Sequence, residues 1–465
     1  RWRPSAESGP RDNTIEVATI GGSSARGVPF TPKLSLDRII TWQLGRVFPD
    51  RKFHALNRAI EGIHLEEAIK QLRDLKHRPD ILIIYSGHNE FQSRFGWGRK
   101  VPYYRLEPHD DPRLSLRIRE WSSTANFLGC NADRFAIEIA PPPKYEREPA
   151  DTPSCTEAEY AATLADYRRR LDALLDDCDA AGILSIVVVP PSNEIFDPNR
   201  SILSEDTIRA DQIDFMARYE RIRREESADP AKAMVEYRRL IQEQPRFADA
   251  HYHLARLLEK AGDYARAHEE YLEARDLDGC PFRCQTPFLE VCRELGAKHG
   301  SLIVDGPRLL EAASPSGIAD DRFFADAHHP GLNTFVILAR DAIHQLKRTG
   351  AFGWPAQTSE PEFSMADCVE HFGLDTAAWI KVVRNSWSFH RVTSSVPRDP
   401  SWRLSIADRC SQAIAELNAG KSPEETGLPW LRLRNELRVA PSPDNRSDAP
   451  APKIRAKPRT EASKR

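Results

Sequence analysis

No run of apolar residues in this 465-residue chain approaches the roughly 18–20 that cross a bilayer as a helix, so a helical membrane span within it is excluded. Charge of one sign is also missing: 66 Lys and Arg face 69 Asp and Glu, a net charge of −3. So weak a field gives no argument for an anionic membrane as a partner, and nucleic acid is not expected as one. Cysteine is sparse, 8 residues scattered along the chain, too few for a disulfide framework. Only Cys280, Cys284 and Cys292 lie close together, and no CxxC accompanies them, so buried thiols rather than a zinc site are expected. Neither a GxGxxG nor a Walker loop follows the first strand pattern, which removes a nucleotide-binding reading. The chain begins at Arg1 rather than methionine, which leaves room for an upstream signal or anchor and leaves the compartment open.

What is present is ordinary for a soluble globular protein: 40% hydrophobic and 29% charged residues, in a length that suits two to four domains. Short apolar runs alternate with helical patterns through the first 200 residues. Ile15–Ile20 reads as a strand, and Leu36, Ile39, Ile40, Leu44 and Val47 recur at helical spacing behind a Ser35 cap position. Phe53–Leu56 is a weaker strand, and Leu65, Ala68, Ile69, Leu72 and Leu75 mark a helix. The runs "ILIIY" at 81–85 and "ILSIVVVP" at 183–190, with a long helical pattern from Glu157 to Ala180 between, look like strands buried on both faces. Strands separated by helices imply parallel crossovers, hence an α/β doubly wound sheet.

That rhythm stops near residue 205 and returns after 278, with a helix over 285–298, a strand "SLIVD" at 301–305 and a closing helix over 331–347. The intervening stretch is helical throughout and repeats. Ala233, Tyr237 and Pro245 are followed 34 residues later by Ala267, Tyr271 and Gly279. With Leu254, Ala255 and Leu258 on one helix, Gly262 at the turn, and Tyr264, Ala267, Tyr271 and Ala274 on the next, "ADAHYHLARLLEKAGDYARAHEEYLEARDLD" resembles a tetratricopeptide repeat lacking its closing proline. One full and one partial copy fall short of the three that normally stand alone, so this module is expected to lean on the sheet domain. The layout is thus 12–205 for the first part of the sheet domain, 206–278 for the helical insertion, and 279–350 for the second part. A helical extension over 351–440, to which no role is assigned, and a proline-rich tail over 441–465, expected to be disordered, complete it.

Four strand-end loops carry residues capable of chemistry. "GGSSARG" at 21–27 leaves the carboxyl end of the first strand, where ligands of α/β sheets sit, so a serine there faces the cleft and its amide is available to a developing oxyanion. Ser23 and Ser24 both remain candidates. "YSGHNEF" at 85–91 offers Asn89 as a neutral NH₂ donor, and Gly62 in "NRAIEG" offers a backbone amide. In "FFADAHHPGLNTF" at 323–335, Asp326 stands three residues before His329 on a turn entering a helix, so the carboxylate can orient an imidazole that takes a proton from serine. His328 competes with His329, and an Asp–His pair at a helix start is equally compatible with a simple cap. Singly each is a loop residue; together they supply nucleophile, donors and base for acyl transfer.

With Ser23 in "GGSS", Gly62 in "NRAIEG", Asn89 in "GHNE", and Asp326 with His329 in "DAHHP", the chain resembles the SGNH or GDSL-type hydrolases over roughly residues 12–350. "PPSN" at 190–193 and "DGCPFR" at 278–283 also resemble the branch that carries tetratricopeptide repeats inside the hydrolase domain. The resemblance implies a flavodoxin-like sheet and a serine esterase. Ser23 would be the nucleophile, His329 and Asp326 the base, and Ser23, Gly62 and Asn89 the oxyanion donors. It implies no metal and no cofactor, and as substrate a small-molecule, carbohydrate or lipid ester. The sequence departs from the pattern at Gly22 and Glu90, where the family usually has aspartate. An O-acyltransferase using the same triad, or a protein-interaction scaffold with a vestigial hydrolase domain and a partner on the repeat module, are the alternatives.

Overall fold

The computed structural model describes residues 13–91 and 151–432, apart from residues 76 and 152; the tail over 441–465 lies outside the described residues. Five strands, β1 (Thr14–Gly21), β2 (Lys52–Asn57), β3 (Ile81–Tyr85), β4 (Leu184–Val189) and β5 (Leu302–Asp305), pair in parallel in the order β2-β1-β3-β4-β5. The helices, in chain order, are α1 (Ser23–Arg26), α2 (Leu36–Val47), α3 (Leu65–Lys70), α4 (Glu157–Ala181), α5 (Arg209–Glu225), α6 (Pro230–Glu243), α7 (Ala248–Lys260), α8 (Tyr264–Asp276), α9 (Thr286–Lys298), α10 (Gly306–Ala313), α11 (Leu332–Arg348), α12 (Met365–His371), α13 (Thr376–Thr393) and α14 (Ser401–Asn418). Among the described residues, no helix is long and apolar enough to cross a membrane.

The central strands are apolar throughout because their alternate side chains enter different cores. Val17, Ile81, Ile83, Tyr85, Ile186 and Val188 face one side, where α2, α10 and α11 cover them. Ala18, Ile20, Leu82, Ile84 and Val187 face the other, against α3, α4 and α9. A sheet covered on both faces has no solvated side on which an alternating polar pattern would be favoured. Strand β2 is the exception. It lies at an edge of the sheet, and its partly exposed residues account for its faint signature.

Two local expectations need correction. Ser35 stands at the start of α2, but its side chain makes no capping bond to the helix. The helix expected to run from Leu65 to Leu75 ends at Lys70 and tightens into a short 3₁₀ turn over Gln71–Asp74.

Helices α5 to α8 share a core of Phe215, Tyr219, Tyr237, Leu240, Phe247, Leu254 and Tyr271, which Leu203 and Ile318 join from outside the bundle. The 34-residue period is physical. Asp229 and Asp263, one period apart, cap α6 and α8 through the amides of Lys232 and Arg266. Tyr237 and Tyr271 donate from their buried hydroxyls to Glu226 (2.7 Å) and Glu259 (2.6 Å). Gly279 stands where the repeat would close on proline, and its amide donates to the Arg200 carbonyl at 3.0 Å, a bond that proline, having no N–H, would lose.

Residues 351–432 are part of the same body. Helices α12 to α14 extend the first core through Met365, Cys368, Trp379, Val382, Val383, Cys410 and Ala413. Arg403, without exposure to solvent, locks α14 to the loop after β4. Its guanidinium donates to Asp197 Oδ1 (2.7 Å), Asn199 Oδ1 (2.9 Å) and the carbonyls of Asp197 and Thr393 (3.0 and 2.9 Å), over the Phe196 ring. Removing one member of a buried pair strands the other charge, which typically costs about 3–5 kcal/mol. Arg403→Met should lose stability on that scale in urea unfolding, and adding Asp197→Asn should recover a large part of it. Equal loss in the single and double variants would show that the stranded charge is not the cause.

Candidate active site

Strand β1 ends in two glycines with different tasks. Gly21 has φ +144°, and a Cβ there would lie 1.9 Å from the Tyr85 carbonyl oxygen on the neighbouring strand, so only glycine fits. A Cβ on Gly22 would lie 2.2 Å from Asn89 Nδ2. Any side chain at this position would therefore have to push the Asn89 amide aside. Ser23 then opens the one-turn helix α1, so its N–H is one of the first-turn donors that have no acceptor within a helix. Both Ser23 and Asn89 leave carboxyl ends of β1 and β3, adjacent strands where the winding of the sheet reverses.

The base loop is a tight reversal closed by the amide of Ala325 on the His329 carbonyl (3.0 Å) and the amide of Gly331 on the Phe323 carbonyl (2.7 Å). Inside it the two oxygens of Asp326 divide their work. Oδ1 accepts from the backbone amides of His328 (3.1 Å) and His329 (3.0 Å). Oδ2 lies 2.7 Å from His329 Nδ1, and His329 Nε2 lies 2.8 Å from Ser23 Oγ. A bare carboxylate beside Nδ1 places the imidazole proton there, so Nε2 is the acceptor for the serine hydroxyl. Burial alone would raise the Asp326 pKa, but the facing His329 holds it down at about 2. The cap reading fails, since the residue at the start of α11 is Gly331, not Asp326.

The two rivals have other occupations. Ser24 Oγ donates to the His328 carbonyl at 3.0 Å, tying the serine turn to the base loop. The His328 ring stacks on His88, with centroids 4.8 Å apart, and burial together with the neighbouring His329 and His88 pushes its pKa well below the ordinary value. His88 accepts the Cys284 amide at Nδ1 (3.1 Å), which leaves its proton on Nε2, and burial lowers its pKa to about 3.

Asn89 Nδ2 donates to the Ile63 carbonyl at 3.2 Å, leaving its second N–H free of that bond. Gly62, with φ +80°, sits in the same turn, and among the described residues it is joined to the others through this neighbour rather than by a bond of its own. Glu90 laces the two turns together, accepting from Ser86 Oγ (3.1 Å) and from the Leu65 amide at the start of α3 (3.1 Å). Burial raises its pKa to about 7, against the bonds from Leu65 and Ser86, which lower it.

A second layer holds the base loop from behind. The Asn193 amide donates to the Ala327 carbonyl (2.9 Å), and its side chain to Asp321 Oδ1 (2.8 Å) and the Asp326 carbonyl (3.3 Å). Arg283 in turn donates to the carbonyls of Asn193 and Glu194. Thus "PPSN" and "DGCPFR" interlock. Cys280, Cys284 and Cys292 are buried free thiols, each with its pKa raised by burial. Among the described residues no three His, Cys, Asp or Glu side chains converge as a metal ion requires.

Sequence reasoning missed one face of α13. Ser386 Oγ donates to the Ala325 carbonyl, His390 Nδ1 donates to the Ser386 carbonyl (2.9 Å), and the Phe389 ring meets His328 and His329 edge-on. The available signal was Ser386, Phe389 and His390 at i, i+3 and i+4, a spacing that puts them on one side of a helix but names no partner.

Comparison of the chain with protein-family models, with curated proteins and with solved structures finds no match in any of the three.

Glu90 sets a pH dependence. Its folded pKa of about 7 lies above the ordinary value of 4.5, so its contribution is full below pH 4.5 and is lost as pH rises through about 7. Glu90→Gln keeps an acceptor for Leu65 and cannot ionise. The melting temperature of the variant relative to wild type should therefore rise between pH 5 and pH 8; a difference that stays flat with pH excludes Glu90 as the source.

Proposed function

We propose that the protein is a serine-dependent ester hydrolase of SGNH/GDSL type, built on a flavodoxin-like sheet with a tetratricopeptide-like insertion. The observation that carries this reading is the unbroken line from Ser23 Oγ through His329 (2.8 Å) to Asp326 (2.7 Å) at the carboxyl ends of the strands. A structural loop has no need of a serine hydroxyl, an imidazole and a carboxylate in that order, and a decayed site would be expected to have lost a member.

In this reading Ser23 Oγ attacks the ester carbonyl carbon while its proton passes to His329 Nε2. Asp326 steadies the resulting imidazolium and stays ionised, since its pKa is about 2. The carbonyl oxygen takes up the negative charge and is met by the Ser23 amide, the Gly62 amide and the free N–H of Asn89 Nδ2. As the tetrahedral intermediate collapses, the C–O bond to the alcohol breaks and His329 returns its proton to the departing oxygen. An acyl group remains on Ser23. His329 then takes a proton from water, which attacks the acyl carbon and releases the acid and the serine hydroxyl. A sugar or other alcohol in place of water would make the same machinery an O-acyltransferase.

Ser23→Ala should abolish hydrolysis of a short-chain aryl ester and labelling by a fluorophosphonate probe, while Ser24→Ala retains both at a reduced rate. His329→Ala should lower kcat on the order of 10³-fold or more, and His328→Ala should cost far less. A dead Ser24→Ala beside an active Ser23→Ala would overturn the assignment.

Gly22→Ala offers a separate check on the oxyanion donors. By displacing the Asn89 amide it should lower kcat roughly ten- to hundredfold, and Asn89→Ala should add little on top, because both changes remove one donor. Additive losses would show that Gly22→Ala acts through something other than the Asn89 amide, and an Asn89→Ala variant with unchanged kcat would place Asn89 outside the site.

A further inference from the structure

Helix α13 bonds both the segment that follows the serine turn and the base loop. From α13, Lys381 Nζ donates to the Thr31 carbonyl (2.7 Å) and Asn385 Nδ2 to the Pro29 carbonyl (3.3 Å), holding the segment that follows the serine turn. Ser386 holds the base loop at Ala325. Phe389 lies next on the same side. Its ring is perpendicular to His329 at 5.7 Å between centroids and nearly so to His328 at 5.8 Å, with Phe196 and Phe282 behind it at 6.0 and 6.4 Å. Phe196 and Phe282 are buried, whereas Phe389 is only partly so. Phe389 packs against the core of Leu82, Ile84 and Phe288 on one side and keeps part of its ring surface open beside the candidate base, where a ligand at Ser23 can reach it.

The chemistry says which part of an ester would meet that wall. The acyl oxygen belongs with Ser23, Gly62 and Asn89, whereas the departing alcohol belongs beside the imidazole that returns its proton. We propose that Phe389 is a specificity residue contacting the leaving alcohol, and that the site prefers esters whose alcohol presents an aromatic or other apolar ring face. This inference rests on the serine hydrolase reading. It also gives the hairpin over 376–418 a role at the site, as its leaving-group wall.

The test compares phenyl acetate with ethyl acetate, which share an acyl group and differ in the alcohol. In Phe389→Ala, kcat/KM for phenyl acetate should fall roughly three- to tenfold more than for ethyl acetate, the scale of one aromatic contact. Phe389→Tyr should restore the preference and Phe389→Leu, apolar without a ring, should not. Labelling of Ser23 by a fluorophosphonate, whose leaving group is fluoride, should proceed at the wild-type rate within about twofold, because no alcohol is involved. Equal losses on both esters with slowed labelling would make Phe389 a packing residue and overturn the inference, as would an unchanged preference. A wild-type protein that the probe fails to label would instead sink the hydrolase reading itself and this inference with it.

Discussion

Asp326 has two carboxylate oxygens and a place for each. One holds the backbone of its own loop by accepting the amides of His328 and His329, and the other holds the His329 ring. The first bond pair fixes where the ring is attached and the second fixes how it is turned, so a single buried anion sets both the position and the tautomer of the imidazole. Neutralising it would release the loop and the ring together. Much of the surrounding structure keeps that anion in place: Asn193 and Ser386 grip the loop at Ala327, Asp326 and Ala325, and Ser24 grips it at His328.

The sheet provides the rigid ground for this arrangement. Because β1 and β3 are buried on both faces and register Gly21 against Tyr85, the turns that follow them start from fixed, adjacent points. The two glycines of the serine turn then serve close approach, one to a backbone carbonyl and one to the Asn89 amide. A histidine pair that looked ambiguous is separated by environment: His329 faces a carboxylate and a serine, while His328 is stacked against another neutral imidazole in a buried position where a charge is costly.

The chain beyond residue 350 alters the view of the protein's organisation. Its described part, residues 351–432, is joined to the sheet domain through a continuous core and through Arg403, a cation with no solvent exposure that bonds the loop after β4. Helices α5 to α8 have a core of their own, closed by Leu203 and Ile318, so the insertion and the extension differ in how they are attached. One shares the main core, and the other borders it.

The sequence by itself determined the strands, the helices between them and the repeat, because each is written in local periodicity: apolar runs for doubly covered strands, three-to-four spacing for helices, and a 34-residue echo that reappears as matched aspartate caps and tyrosines. It also narrowed the candidate chemistry to Ser23 or Ser24, His329 or His328, with Asp326, Gly62 and Asn89. Within each pair the motif register favoured Ser23 and the three-residue spacing from Asp326 favoured His329; what the fold puts opposite each of the four residues was not legible in it. The surroundings of Gly22 and Glu90 were hidden likewise, one lying against a side chain 67 positions away and the other bonded to the start of α3. The packing of Phe389 on His329 joins residues 60 positions apart on different helices and loops. Periodicity cannot express such a contact, because it depends on how finished elements are stacked, and only the tertiary structure decided it.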